Sequence, residues 1–193
     1  MDSKEQKKWK VLSSKVITDN HWFPIRADTV EVANGKVMED FYVISPTDWS
    51  FVIALTPEND IVLVRQYRHG IRKSILEFPG GMVDAEDGDI AILAALEGAK
   101  RELVEETGYY SNEVIHLGSI SGNPVRYTNQ AHFFLAQNAV KTSEQALDEM
   151  EDIEVVLMPF KEFVTMALAS KIEHPHDLAG LLLALNHLGK IHV

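Results

Sequence analysis

The apolar positions of this chain come mostly in short runs of strand length separated by turn residues, and three stretches carry helical spacing instead. Val11 to Asp19 mixes apolar and polar positions, and Trp22 to Ala33 alternates as a half-buried strand does. Asn34-Gly35 is a strong hairpin signal, and Lys36 to Ser45 follows it with Phe41, Tyr42, Val43 and Ile44. Pro46-Thr47-Asp48 punctuates the pattern. Phe51 to Leu55 and Ile61 to Val64 then read as buried strands joined by a Pro57-Glu58-Asn59-Asp60 turn. Further on, Val114 to Ile120, His132 to Gln137 and Ile153 to Met158 are apolar runs, the first two separated by a Gly-Asn-Pro loop. Phe160 to Ser170 and Asp177 to Leu188 have helical spacing, and Leu178, Leu181, Leu182 and Leu185 mark the apolar face of the second. The remaining helical stretch lies mid-chain and is acidic. Strands enclosing one long acidic helix, with terminal helices, predict an α/β sandwich.

Composition narrows the class. A chain of 193 residues buries one good core with room for a small accessory region. It has no cysteine, which excludes disulfides, thiolate metal sites and a cysteine nucleophile. Met1 to Lys10 is polar and unlike a signal peptide, and no apolar run reaches membrane length, so the expectation is a cytoplasmic protein with no membrane partner. A formal charge of −11 argues against a nucleic-acid partner, and Lys4, Lys7, Lys8 and Lys10 read as a solvated tail.

The chemistry concentrates in Arg101-Glu102-Leu103-Val104-Glu105-Glu106-Thr107-Gly108-Tyr109. At 3.6 residues per turn Glu102 and Glu106 stack one above the other, with Glu105 beside them. Like charges at these spacings destabilise a helix by about 0.2–0.5 kcal/mol per pair. A divalent cation held by carboxylate oxygens is the natural offset. Acidic helix faces are usually just solvated. Here Arg101 and Gly108 are specified with the acids, a combination expected by chance at roughly one position per million.

This run resembles the core of the Nudix box, the signature of the Nudix hydrolase superfamily: Gly, five residues, Glu, seven residues, then Arg-Glu-apolar-x-Glu-Glu-x-Gly-apolar. Upstream, Glu77-Phe78-Pro79-Gly80-Gly81-Met82-Val83-Asp84 resembles the Pro-Gly-Gly loop that opens the box in many members. Five residues past Gly81 the chain has Asp87 where the family usually has Glu, and thirteen residues, not seven, separate Asp87 from Arg101. Asp89 to Glu97 is rich in helix formers, with Asp89 as N-cap, so the six extra residues divide between loop and helix.

Asn34-Gly35 with its aromatic strand, Val64-Arg65-Gln66-Tyr67-Arg68 and the Pro-Gly-Gly loop extend the resemblance to the ADP-ribose pyrophosphatase branch. That resemblance implies a Nudix-type α/β/α sandwich with a mixed sheet over residues 46–193, and an N-terminal antiparallel sheet over residues 1–45 that helps build a homodimer. It implies hydrolysis of ADP-ribose and other nucleoside diphosphate sugars, with Mg²⁺ as cofactor and Mn²⁺ as the alternative. Glu102 and Glu106 are then the first metal ligands with Glu105 assisting, and the Gly80 carbonyl is a further ligand, as in that branch. A late acidic loop, here Leu147 to Ile153, holds the general base in that branch. Glu149 or Glu151 takes that role, the other being open to metal binding, and Glu105 is the rival base. Arg101 orients a carboxylate through a salt bridge. Arg68 suits a phosphate contact or a surface ion pair; Glu77 hydrogen-bonds a ribose or pairs with Arg68. Trp22 and Phe23 stack on a base or belong to the core. Arg126 and Asn129 face the sugar. His174-Pro175-His176 reads as a turn, because no third ligand lies near it in sequence.

Two other functions fit the same residues: a sensor that binds nucleotide sugars without cleaving them, and a pyrophosphatase acting on nucleoside triphosphates. The intact acids speak against the sensor.

Overall fold

The computed structural model describes residues 8–83 and 91–191. Asp87 and Asp89 lie outside the described residues, and with them the opening acid of the box and the expected N-cap.

The described residues up to Thr47, together with Ser121–Asn129, form one compact unit. Its antiparallel sheet has the order β1 (Lys10–Thr18), β2 (Ile25–Glu31), β3 (Val37–Ile44). The Asn34-Gly35 turn behaves as the sequence predicts. Gly35 takes φ +83, a conformation that favours glycine, and the Lys36 N–H donates to Asn34 Oδ1 at 3.1 Å. Strand β2 begins at Ile25, three residues later than the alternation suggests. The Asn20 carboxamide accepts the N–H groups of Trp22 and Phe23 (3.0 and 2.7 Å), a local turn that competes with strand pairing.

The second unit is Asp48–Ile120 and the chain from Gln130 on. Its sheet runs β12 (Ile153–Pro159), β5 (Asp60–Arg68), β4 (Trp49–Leu55), β10 (Gln130–Gln137), β9 (Glu113–Ser121). Strands β4 and β10 are parallel, and β12 is antiparallel to β5, so the sheet is mixed. Two short strands were not apparent in the sequence: β6 (Lys73–Glu77) folds back on β5, and β7 (Gly80–Met82) pairs with β4. The Pro-Gly-Gly segment is thus largely strand. A side chain at Gly80 would strike the Ser50 carbonyl at 2.2 Å, so only glycine permits this pairing. Strands β8 (Tyr109–Tyr110) and β11 (Val140–Lys141) form a separate small ladder.

Alternation along the central strands builds two cores, one on each sheet face. Val52, Ala54, Val62 and Phe134 meet Ala95, Ala99 and Leu103 of α1 (Ala91–Thr107). Phe51, Ile53, Leu63 and Phe133 meet Phe160 and Phe163 of α2 (Phe160–Leu168) and Leu181 of α3 (Pro175–His187). This is the α/β/α sandwich the sequence predicts. The small residues at four-residue spacing, Ala95 and Ala99, let α1 lie close on the sheet. Leu103, 1% exposed, anchors the acidic turn; truncating it to Ala would cost about 2–5 kcal/mol. Helix α1 stops at Gly108 (φ +73), where a side chain would strike the Ser143 carbonyl at 2.1 Å.

Candidate active site

The last two turns of α1 face the start of β7. Glu106 is 5% exposed, and its Oε2 accepts the Gly80 N–H at 2.9 Å. One turn earlier Glu102 lies over Gly81, where a side-chain carbon would sit 2.4 Å from Oε1. The two glycines therefore hold the two carboxylates, one by a hydrogen bond and one by leaving room. Arg101 Nη1 lies 2.8 Å from Glu105 Oε2 and 3.2 Å from Glu102 Oε1. Glu105 is the outermost of the three acids, its side chain 40% exposed.

Burial dominates the electrostatics. It pushes the Glu106 carboxyl up to about 8, with Glu102 and Glu151 adding to the rise and the Gly80 N–H and Arg68 opposing it. Burial also pushes Glu102 up to about 7, against Arg101 and with help from Glu105 and Glu151. Repulsion between helix neighbours, the cost visible in the sequence, is thus the smaller effect. A bound cation would reverse the preference by favouring both charged forms, and carboxylate oxygens are the donors a hard divalent ion takes. The residues present fit such an ion. Among the described residues no cluster of three or more acidic or imidazole side chains completes a cage.

The late acidic loop is tied to this helix by Gln145, a residue the sequence did not flag. Its carboxamide donates to the Glu106 carbonyl at 2.7 Å and the Ile153 carbonyl at 3.0 Å, and the Ala146 N–H donates to the Glu105 carbonyl at 2.8 Å. A turn follows in which the Asp148 N–H donates to Glu151 Oε2 and the Glu151 N–H to the Asp148 carbonyl, both at 3.0 Å. Glu151 is half-buried, and its charge is felt at both Glu102 and Glu106. Glu149 is exposed.

A cavity of about 330 Å³ adjoins Gly80 and Gly81. Arg68, at the end of β5, lines it, and its Nε donates to Glu77 Oε2 at 2.8 Å. Glu77 is 2% exposed, so this pair is anchored in the interior. His174, His176, Trp49, Phe51 and Met82 complete the lining. The expected turn at His174-Pro175-His176 is instead a helix start: His174 is the N-cap of α3 and Pro175 its first residue, where the missing N–H costs nothing. Both rings face a pocket, which only the packing of α3 on β4 reveals.

Trp22 and Arg126 belong to the N-terminal unit. Trp22 is 61% exposed, which removes the core alternative for it. Arg126 lies over the Phe41 ring at 4.7 Å and donates to the Tyr42 carbonyl at 3.2 Å. Asn129 donates to the Thr47 carbonyl at 2.9 Å.

Residues 46–178 match the profile of the NUDIX domain, and residues 9–44 that of the nucleoside diphosphate sugar hydrolase N-terminal domain. A methanol dehydrogenase activator of Bacillus methanolicus is 33% identical over 79% of this chain and 80% of its own. An ADP-ribose pyrophosphatase of Bacillus subtilis is 30% identical over 89% and 88%, and a GDP-mannose pyrophosphatase of Salmonella arizonae 29% over 95% and 96%. A solved ADP compounds hydrolase superposes with a TM-score of 0.81 over 98% of this chain and 100% of its own; at 22% identity it supports the fold alone.

Proposed function

Because the chain belongs to the NUDIX domain family of hydrolases, we propose that it splits the diphosphate linkage of nucleoside diphosphate sugars, ADP-ribose among them, into a nucleoside monophosphate and a sugar phosphate. The carrying observation is the pair of half-buried Glu102 and buried Glu106, seated on the two glycines that line the Arg68 pocket. The N-terminal match and the relatives' names support the substrate class.

Glu102 and Glu106, with the Gly80 carbonyl, would hold Mg²⁺, an ion commonly bound by one or two carboxylates plus substrate phosphates. When bound, the ion neutralises the diphosphate charge and acidifies a water. Arg101 keeps Glu102 and Glu105 oriented. Glu151 accepts the proton of the attacking water, a role favoured by the reach of its charge to both Glu102 and Glu106. Glu105 is engaged by Arg101, which leaves it less free to reach the attacking water. Arg68, held by Glu77, contacts a phosphoryl oxygen. The exposed Trp22 is the candidate for stacking on the base.

The functional form is a homodimer built through the N-terminal sheet. Strand β1 exposes Val11, Leu12, Val16 and Ile17, a patch whose burial against a second copy would be favourable. Light scattering should give twice the chain mass, and Val16→Glu should halve it; a monomeric parent protein refutes the dimer.

The activity test is direct. Purified protein is incubated with ADP-ribose, GDP-mannose, UDP-glucose and ADP-glucose, with and without Mg²⁺. Release of nucleoside monophosphate in Mg²⁺ supports the proposal, and no release from any of them removes it.

A further inference from the structure

The polar side chains that line the pocket are Arg68, His174 and His176, all of them nitrogen groups. His174 Nδ1 lies 3.0 Å from Asp177 Oδ1 and 3.6 Å from Glu77 Oε1. Asp177 is 0% exposed and Glu77 2%, so both carboxylates are interior fixtures. On its other edge His174 Nε2 lies 3.4 Å from His176 Nδ1. The His176 ring stacks on Phe51 (5.3 Å, 11° between planes) and meets Trp49 edge-on at 5.3 Å. Phe51 is in turn stacked on Phe133 of the core at 5.6 Å. A ladder from core phenylalanine to pocket imidazole thus sets the angle of His176. Glu77 ties the two sides together, one oxygen on Arg68 and the other facing His174.

In a chain of net charge −11, none of the described residues lining this pocket is acidic. Arg68 and the two imidazoles lie beside the glycines that seat Glu102 and Glu106. The Phe51 ring is stacked on Phe133 and His176 and the Trp49 ring packs against His176, so these aromatic rings support the imidazole and the polar groups of the pocket are Arg68, His174 and His176. That chemistry suits phosphoryl and hydroxyl oxygens better than a nucleobase face.

We propose that His176, positioned by the Asp177–His174 pair, contacts the sugar-phosphate half of the substrate and makes this pocket the subsite for that half. The inference rests on the nucleoside diphosphate sugar reading above. Burial lowers the His174 pKa, but the hydrogen bond and charge of Asp177 and the charge of Glu77 outweigh it and raise it above the ordinary value. With its Nδ1 fixed by Asp177, the His174 ring presents Nε2 to His176 Nδ1 and holds that imidazole in place.

Product inhibition separates the two halves of the substrate. Ribose 5-phosphate and AMP are each tested against ADP-ribose turnover, and their binding is measured by calorimetry without turnover. In His176→Ala the inhibition constant for ribose 5-phosphate should rise about tenfold, the loss of one charge-assisted hydrogen bond, while that for AMP stays within about twofold. His176→Gln, which retains a donor, should restore part of the affinity. Asp177→Asn should raise KM more than it lowers kcat; because Asp177 is buried, its thermal unfolding is measured alongside. Equal weakening of both products, or of neither, overturns the subsite. Absent turnover in the parent protein would instead defeat the hydrolase reading, and the calorimetric comparison would still decide the subsite.

Discussion

Replacing Glu106 by Gln should make the cation-free protein more stable at alkaline pH. The carboxyl is 5% exposed, and burial raises its pKa from the ordinary 4.5 to about 8. Between those values the folded chain holds a proton that the unfolded chain releases. The carboxyl's contribution is therefore complete below about pH 4.5 and lost as pH rises through about 8. At about 1.4 kcal/mol per pKa unit the full displacement corresponds to about 4–5 kcal/mol. Glu102 titrates beside it and shares the effect, so the single substitution should recover about 2–4 kcal/mol. Glutamine keeps an acceptor for the Gly80 N–H, which limits other losses. The assay is urea unfolding in chelator from pH 5 to pH 9. Parent and variant should be nearly equal at the acid end and diverge upward, with added Mg²⁺ closing the gap by stabilising the parent alone. A variant-minus-parent difference that does not grow with pH would refute the assignment of a buried, proton-holding carboxyl. Turnover in Mg²⁺ should fall at least about 100-fold in the variant, and near-normal turnover would refute the metal role.

Three further outcomes follow from the same geometry. Gly81→Ala places a carbon 2.4 Å from Glu102 Oε1; the flexible carboxylate yields, so stability should change by under about 1 kcal/mol while turnover falls about 10- to 100-fold, and unchanged turnover would refute the seating of Glu102. Gln145→Ala removes two hydrogen bonds between the acidic loop and α1 and should cost about 1–3 kcal/mol, read in denaturant, with faster hydrogen exchange at Ile153. Glu151→Gln should lower kcat about 100-fold and Glu149→Gln less than about twofold; the reverse order would move the base to the exposed residue.

Local spacing settled a great deal before any coordinates. The acids of α1, the Asn34-Gly35 hairpin and the apolar runs of β4 and β5 depend on neighbours within a few residues, which a linear pattern records. Strand β7 escaped because its partner β4 lies on a distant segment and its glycines read as loop; β6, folded back on the adjacent β5, escaped because Lys73, Ser74 and Glu77 leave only Ile75 and Leu76 as an apolar signal. The same limit hid Gln145, whose polar surroundings resemble a solvated linker, and the pair His174 and His176, whose neighbours in sequence supply no further ligand.

What the sequence by itself determined was periodicity, and through it the order of elements and the face of α1 that bears the carboxylates. Only the tertiary structure decided how much water those carboxylates lose. Desolvation depends on what covers a group, here β7 and the sheet beneath α1, and no spacing along one helix encodes it. The packing of α3 against β4 likewise turned a Pro-flanked pair of histidines into a pocket wall, because side chains far apart in the chain converge only when two hydrophobic faces are buried together.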